Sequence, residues 1–427
     1  MTRWRNWGRT ATCSPREIRA VRSESEIVEA LRTGGPVKVV GSGHSFTDIA
    51  CTDGLMLTMD GYDGVLSVDR GSGLVTVQAG ITLHRLNAAL AANGLALENL
   101  GDIAYQTVAG AISTGTHGTG LRYGNISTQV AGLRIVTAAG EVVELGEGDD
   151  ELKAARVSLG ALGVISTVTL RCVPAFSLYA QEEGARLDDV LGDLDELADS
   201  NDHAEFFWFP HTDAVLLKRN NRTDRPPTPR RPVKSFVSDY VLANGVFGAV
   251  ARVGRARPDR VPDLARFVAG QLGRRRVVLP SHEAFSSPRL VRFAEMEYAV
   301  PREHARDAVL RVRELIETRG FRISFPVEVR FVASDESWLS PAFGRQTCYI
   351  AVHTYRGVDH REYFTAVESV MRSYEGRPHW GKIHFRAAAD LREVYPRWDD
   401  FAALRSKLDP QGRLRNAYLD RVLGPVG

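Results

Sequence analysis

The 427-residue sequence has no long apolar run. No segment approaches the roughly 20 apolar residues that cross a bilayer as a helix, so no membrane-spanning helix is expected. Cysteine is scarce: Cys13, Cys51, Cys172 and Cys348 lie far apart with no CxxC pair, which indicates neither a zinc knuckle nor a disulfide framework. Charge of one sign is lacking as well, since 54 basic residues against 52 acidic ones leave a net +2. Such a chain creates no field that would draw it onto nucleic acid or an anionic membrane; a small, nearly neutral ligand suits it better. The opening stretch has no apolar core of a secretory signal, and a reducing cytoplasm is the expected location. No GxSxG nucleophile elbow occurs, and His379 and His384, five apart, do not suit two ligands on one helical face, so no metal site is expected.

What is present is ordinary globular composition, 44 % hydrophobic and 25 % charged, in a chain long enough for two domains. Ser23 with Glu26 forms a capping box ahead of a helix to Leu31, and Val37 to Val40 is a short apolar strand. Strands at 55–59, 66–69 and 74–78 precede a helix over 83–92, and Leu133 to Leu145 reads as a hairpin turning at Ala139-Gly140. The texture changes near Pro174. Beyond it come a helix over 187–198, strands at 205–210 and 215–218, a helix over 302–318, strands at 324–333 and 349–355, and a helix over 363–374. Arg219 to Pro232, rich in proline and charge, is expected to be a mobile surface loop; its arginines lack the interleaved aromatics of a nucleic-acid site.

Two glycine-rich loops could carry chemistry. Gly41-Ser42-Gly43-His44-Ser45-Phe46 follows a strand but fails the GxGxxG spacing, with Phe46 at the third glycine and no good helix after it. It can still present successive backbone N–H groups to a pyrophosphate. Thr114-Gly115-Thr116-His117-Gly118-Thr119-Gly120 is a second such loop. In Val327 to Phe331, strand alternation sets Glu328 and Arg330 on one face; in Tyr349 to Tyr355 it sets Tyr349, Ala351, His353 and Tyr355 together. Two strands of this kind would make a sheet able to line a hydroxyl-rich pocket. Pro378 to Lys382 clusters an imidazole, an indole and an amine about a glycine.

Together GSGHSF, TGTHGTG, SLGALGV at 158–164, Glu328-Val-Arg330 and His379-Trp-Gly-Lys382 resemble the sugar-lactone and alditol oxidases of the vanillyl-alcohol oxidase flavoprotein family, over nearly the whole chain. The resemblance implies a two-domain α+β fold: an FAD-binding domain of the PCMH type over 1–174, a cap built on an antiparallel sheet over 175–375, and a segment over 376–427 returning to the FAD domain. It implies FAD bonded covalently to His44. The pyrophosphate would lie along Gly41, Ser42, Gly43 and Ser45 and along Thr114, Gly115, Thr116, His117, Gly118 and Thr119. Val164 and Ile165 would lie near the adenosine, and Gly101 and Asp102 near the flavin and substrate, with glycine at 101 leaving room for dioxygen.

The same resemblance places substrate on Asp102, Glu328, Arg330, His353 and Lys382. Lys382, its pKa lowered by burial beside Arg330, is the expected base and His353 the rival. The implied reaction is hydride removal from a CH–OH carbon of an aldonolactone, or of an alditol, with dioxygen or a carrier such as a cytochrome or quinone taking the electrons. A carbohydrate-binding protein without catalysis is the reading outside the enzymes; the intact GSGHS, ExR and HWxK set speaks against it.

Overall fold

The computed structural model describes residues 3–229, 245, 247–286 and 291–426. The helix Glu24–Arg32 starts as the capping pattern requires: the Ser23 hydroxyl accepts the Glu26 N–H, while the Glu26 carboxylate accepts from Arg22 N rather than from Ser23. Its face of Ile27, Ala30 and Leu31 is buried. Around it lie a three-stranded parallel sheet, with Leu55–Thr58 between Glu17–Ala20 and Val37–Val40, and a five-stranded antiparallel sheet in the order Val142–Gly146, Val130–Val136, Val164–Arg171, Leu74–Gln78, Val65–Asp69. One apolar cluster joins these sheets and also takes in Trp380, Tyr395, Phe401 and Tyr418 from far down the chain. The junction is stitched by backbone as well, Val37 N–H donating to Arg413 O at 2.9 Å.

Eight antiparallel strands form the second unit, in the order Arg275–Pro280, Ser177–Arg186, Ala214–Thr223, His203–Trp208, Val327–Val332, Thr347–Tyr355, Phe293–Pro301, Arg377–Pro378. Alternation gives the four strands between Ala214–Thr223 and Arg377–Pro378 two unlike faces. Phe206, Trp208, Met296, Val329, Ile350 and Val352 point into a cluster with Val309, Val312 and Ile316 of the helix Ala305–Thr318 and Phe364, Val367 and Met371 of the helix Arg361–Arg372. Each such side chain contributes roughly 1.5–3 kcal/mol by leaving water. The opposite face carries Glu205, Glu295, Glu297, Glu328, Arg330 and His353, all buried. Apolar packing on one face therefore holds in place charges that the other would not justify on stability grounds.

Two expectations are corrected. The helix over 187–198 is two short helices, Leu187–Gly192 and Leu194–Ser200, broken at Asp193 just after a glycine. Arg219 to Thr223 is not loop but the end of the strand Ala214–Thr223, because Arg219 and Asn221 find cross-strand partners in Gln181 and Tyr179. Residues 224–229 have no regular structure, and 230–232 lie outside the described residues.

Where the two units meet, Asn125 Nδ2 donates to Ser340 Oγ at 2.8 Å and to Asp335 Oδ2 at 3.2 Å, and Ser340 Oγ donates to Asp335 Oδ2 at 2.5 Å. Burial raises the Asp335 carboxyl to about 6, against the pull of Ser340 and the Ser337 N–H. The folded value thus lies above the unfolded one near 4, so its stabilisation is present below about pH 4 and is lost as pH rises through about 6. Denaturant unfolding of Asp335→Asn beside the parent is expected to show the variant gaining in relative stability by up to about 3 kcal/mol from pH 4 to pH 7. Parallel pH profiles would mean that Asp335 is not the group responsible.

Candidate active site

The strand Val37–Val40 runs into the loop 41–46, where Gly43 has φ +66°, a left-handed backbone that glycine adopts without penalty. The N-terminal ribbon of Trp4–Arg5 and Thr12–Cys13 straps this loop: Trp7 N–H donates to Gly43 O at 2.8 Å, Asn6 Nδ2 to Ser45 O at 2.9 Å and Thr10 Oγ1 to Phe46 O at 2.6 Å. The Trp7 and His44 rings lie 5.6 Å apart. Burial, then the positive charge of Lys382, lowers His44 to about 4, so its imidazole is neutral at ordinary pH, the form that can act as a nucleophile.

Two cavities adjoin here. His44, Ser45, Gln106 and Thr114 line both. The first reaches the charged face of the large sheet; the second runs under Gly41, Ser42 and Gly43 to Val164, Ile165 and Leu414. Two glycines of the second pack tightly against their neighbours. A Cβ on Gly41 would stand 2.1 Å from Thr107 Oγ1, and one on Gly163 would stand 2.3 Å from Ile135 Cγ2.

On the sheet, register assembles the charges. Arg330 pairs across strands with Glu205 and Tyr349, Glu328 with Phe207 and Ala351, and Glu295 with His353. Arg330, 7 % exposed, donates from Nε to Glu205 Oε2 at 2.7 Å, and its Nη2 stands 2.9 Å from Asp102 Oδ1 and in contact with Glu328 Oε1. Burial opposes its charge, but Asp102, Glu205 and Glu328 outweigh that and raise its pKa well above the usual value. Nη2 is thus held between two carboxylates, which fix the guanidinium at the cavity wall.

The turn 379–382 docks on the strand Phe293–Pro301: His379 N–H donates to Glu297 O at 3.0 Å and Ile383 N–H to Glu295 O at 2.9 Å, while Phe46 N–H donates to Gly381 O at 2.7 Å. That docking sets Lys382 Nζ 2.5 Å from Glu295 Oε2 and 4.0 Å from Glu297 Oε2. The expected lowering of the Lys382 pKa is therefore wrong in direction. Burial does lower it, but Glu295 and Glu297 outweigh burial and raise it, because Lys382 faces carboxylates rather than Arg330. Glu295 in turn would be raised by burial, yet Lys382 and His353 bring it down to about 2.

His353 Nδ1 faces Pro326 O at 3.1 Å and its Nε2 faces Glu295 Oε1 at 3.4 Å. A carbonyl only accepts, so Nδ1 carries a proton, and Nε2 is the nitrogen that faces the carboxylate. His379 Nδ1 accepts the Gly381 N–H at 3.0 Å, and burial drops its pKa to about 3. His117, Glu297 and His379 bring ligand atoms within 4.8 Å of one another, a grouping that the 379/384 spacing did not suggest; Lys382 close to Glu297 works against a cation there.

Of the residues singled out in the sequence, Asp102, Glu328, Arg330, His353 and Lys382 line the first cavity with Gly101, Thr116 and His117, and Val164 and Ile165 line the second. Gly115, Gly118 and Thr119 line neither. Thr119 Oγ1 donates to Ala204 O and accepts the Phe331 N–H, and a Cβ on Gly118 would meet Leu100 O at 2.3 Å, so that half of the loop is packing against the sheet. The space beside Gly101 is also filled rather than open, with His117 O 2.8 Å from where a Cβ would be. Glu205, Glu295, Glu297, Phe207, Phe293, Phe325 and Trp7 were missed. The alternation of Glu295 and Glu297 with Met296 and Tyr298 was the available signal for two of them.

Comparison with known proteins matches residues 168–422 to a D-arabinono-1,4-lactone oxidase family and residues 15–146 to an FAD binding domain. The chain is 49 % identical to an L-gulono-1,4-lactone dehydrogenase from Mycobacterium tuberculosis over 99 % of both chains. It is 37 % identical to L-gulonolactone oxidase of Bos taurus over 98 % of both. Among solved structures, cholesterol oxidase from Brevibacterium sterolicum shares the fold with a TM-score of 0.83 at 17 % identity, covering 99 % of this chain and 96 % of that one.

Proposed function

This chain belongs to the D-arabinono-1,4-lactone oxidase family of FAD-dependent oxidoreductases, and from that premise we propose that it oxidises an aldonolactone of the L-gulono-1,4-lactone or D-arabinono-1,4-lactone type at one CH–OH carbon. The observation that carries the reading is the buried charged face, Arg330 among three carboxylates beside the Lys382–Glu295 pair, on the wall of a cavity that adjoins a second one at His44.

The residues fit FAD. The 41–45 stretch offers backbone N–H groups, and a neutral imidazole stands at the junction of the cavities, suited to a covalent bond through His44. FAD when bound supplies the acceptor for a hydride from the substrate carbon.

The chain's own groups divide the rest. Glu328 and Asp102 accept hydrogen bonds from substrate hydroxyls, and the positive charge of Arg330 faces a ring or carbonyl oxygen. Lys382, charged, cannot take a proton; it stabilises negative charge developing on the reacting oxygen. His353 Nε2 accepts the hydroxyl proton, with Glu295 beside it to stabilise the imidazolium. Residues 1–174 with 376–427 then form the cofactor side and 175–375 the cap, supported by the place of Trp380 and Tyr418 in the first apolar cluster.

Acid precipitation is expected to leave yellow chromophore in the pellet of the parent protein and to release all of it from His44→Ala. Anaerobic mixing with an aldonolactone should bleach the flavin. A protein that takes up no FAD, or one reduced as fast by xylitol or sorbitol as by lactones, would overturn the assignment. Hydrogen peroxide formed in air, set against reduction of a cytochrome or quinone, identifies the electron acceptor. No helix among the described residues is long and apolar enough to cross a membrane.

A further inference from the structure

The second cavity is lined almost wholly by apolar side chains, hydroxyls and glycines. Among the described residues lining it, Lys38 is the one basic side chain besides His44, which is neutral near pH 7. Lys38 comes from the strand Val37–Val40, yet its side chain is buried, 3 % exposed. Its ammonium has three N–H bonds and one assigned acceptor, Leu414 O at 3.1 Å. Nζ also lies 3.8 Å from where a Cβ on Gly160 would be, and Leu414 and Gly160 both line the same cavity. The amine therefore sits at the cavity wall with donors to spare, at the end away from His44.

We infer that Lys38 is the cation that holds the ADP half of the bound dinucleotide. The inference rests on FAD as the cofactor. Pyrophosphate is anionic, and backbone N–H groups and hydroxyls solvate it without neutralising it; an ammonium confined in an apolar cavity is the complementary charge. The surroundings of the amine agree. Burial, then Arg405, pushes Lys38 down to about 7 against the pull of Asp409, so the empty cavity holds an amine only partly charged and an arriving phosphate restores the charge.

The test uses protein carrying His44→Ala, from which flavin can be removed, with calorimetric titration of ADP and of FMN. Adding Lys38→Met is expected to weaken ADP by about 10- to 100-fold, the range for one charge-assisted hydrogen bond, and to leave FMN unchanged. Equal ADP affinity with and without Lys38 overturns the inference. A second readout does not depend on the Lys38 variant folding: FAD binding at pH 7, measured in buffers of different ionisation enthalpy, should take up about half a proton. No uptake overturns the inference too. If the Lys38-containing protein binds neither FAD nor ADP, the cofactor assignment itself fails, which is a distinct result.

Discussion

Arg330→Met is expected to abolish turnover, by about 10³-fold or more, and to destabilise the fold by about 3–5 kcal/mol. The substitution keeps much of the volume but strands Asp102, Glu205 and Glu328 around an apolar side chain in a buried site. Removing one partner of a buried ionic cluster is far worse than never having built it, because the remaining charges lose their counter-charge but not their desolvation. Arg330→Lys separates the two effects. It retains the charge and most of the stability, yet lacks the planar fork that reaches Glu205 from Nε while Nη2 serves Asp102 and Glu328. Rapid-mixing measurement of flavin reduction, with denaturant unfolding in parallel, reads both. A lysine variant that folds and reduces its flavin at the parental rate would remove Arg330 from substrate binding.

Glu295→Gln is expected to slow flavin reduction by about 10²- to 10³-fold, because one carboxylate serves both Lys382 and His353. Lys382→Met should do similar damage and destabilise more, leaving Glu295 and Glu297 without their ammonium. The double variant should be more stable than the sum of the single losses predicts, the signature of a coupled pair. Strictly additive losses would dissolve the pair as a functional unit. The pH dependence follows with its signs. Glu295, lowered to about 2, contributes stability that is complete above its unfolded value and lost only as pH falls through about 2. Lys382, raised, contributes stability that persists until pH climbs past its ordinary range. The pair therefore stays charged between about pH 5 and 10. His353→Gln should slow flavin reduction as well, and a variant that reduces its flavin at the parental rate would remove His353 as the proton acceptor.

The parts of this site that the sequence made legible are those carried by local geometry. The glycine-rich loop before His44, the shared face of Glu328 and Arg330, and the shared face of Tyr349, Ala351 and His353 follow from backbone conformation and strand alternation alone. The capping box at Ser23 and the helix Leu83–Ala92 are local in the same sense. What stayed hidden depends on which strand neighbours which. That Glu205 would stand opposite Arg330, or Glu295 opposite His353, requires the order of eight strands drawn from residues 177 to 378, and no short window contains it. The Lys382 error has the same root. Its motif was visible, but its charge state is set by two carboxylates more than 80 residues away in the chain. Gly115 and Gly118, expected in the cofactor loop, line neither cavity: glycine marks close approach, and what approaches Gly118 is the Leu100 carbonyl.

The strap over the 41–46 loop begins at Trp4, while the far wall of the second cavity includes Leu414 and the backbone at Arg413 clasps Val37. The second cavity is thus closed by residues some 400 positions apart in the chain. A chain growing from its N-terminus cannot complete this cavity until the segment around residue 414 is there to pack against Val37. A protein cut between residues 380 and 414 would lose that wall of the cavity while keeping most of its sheets.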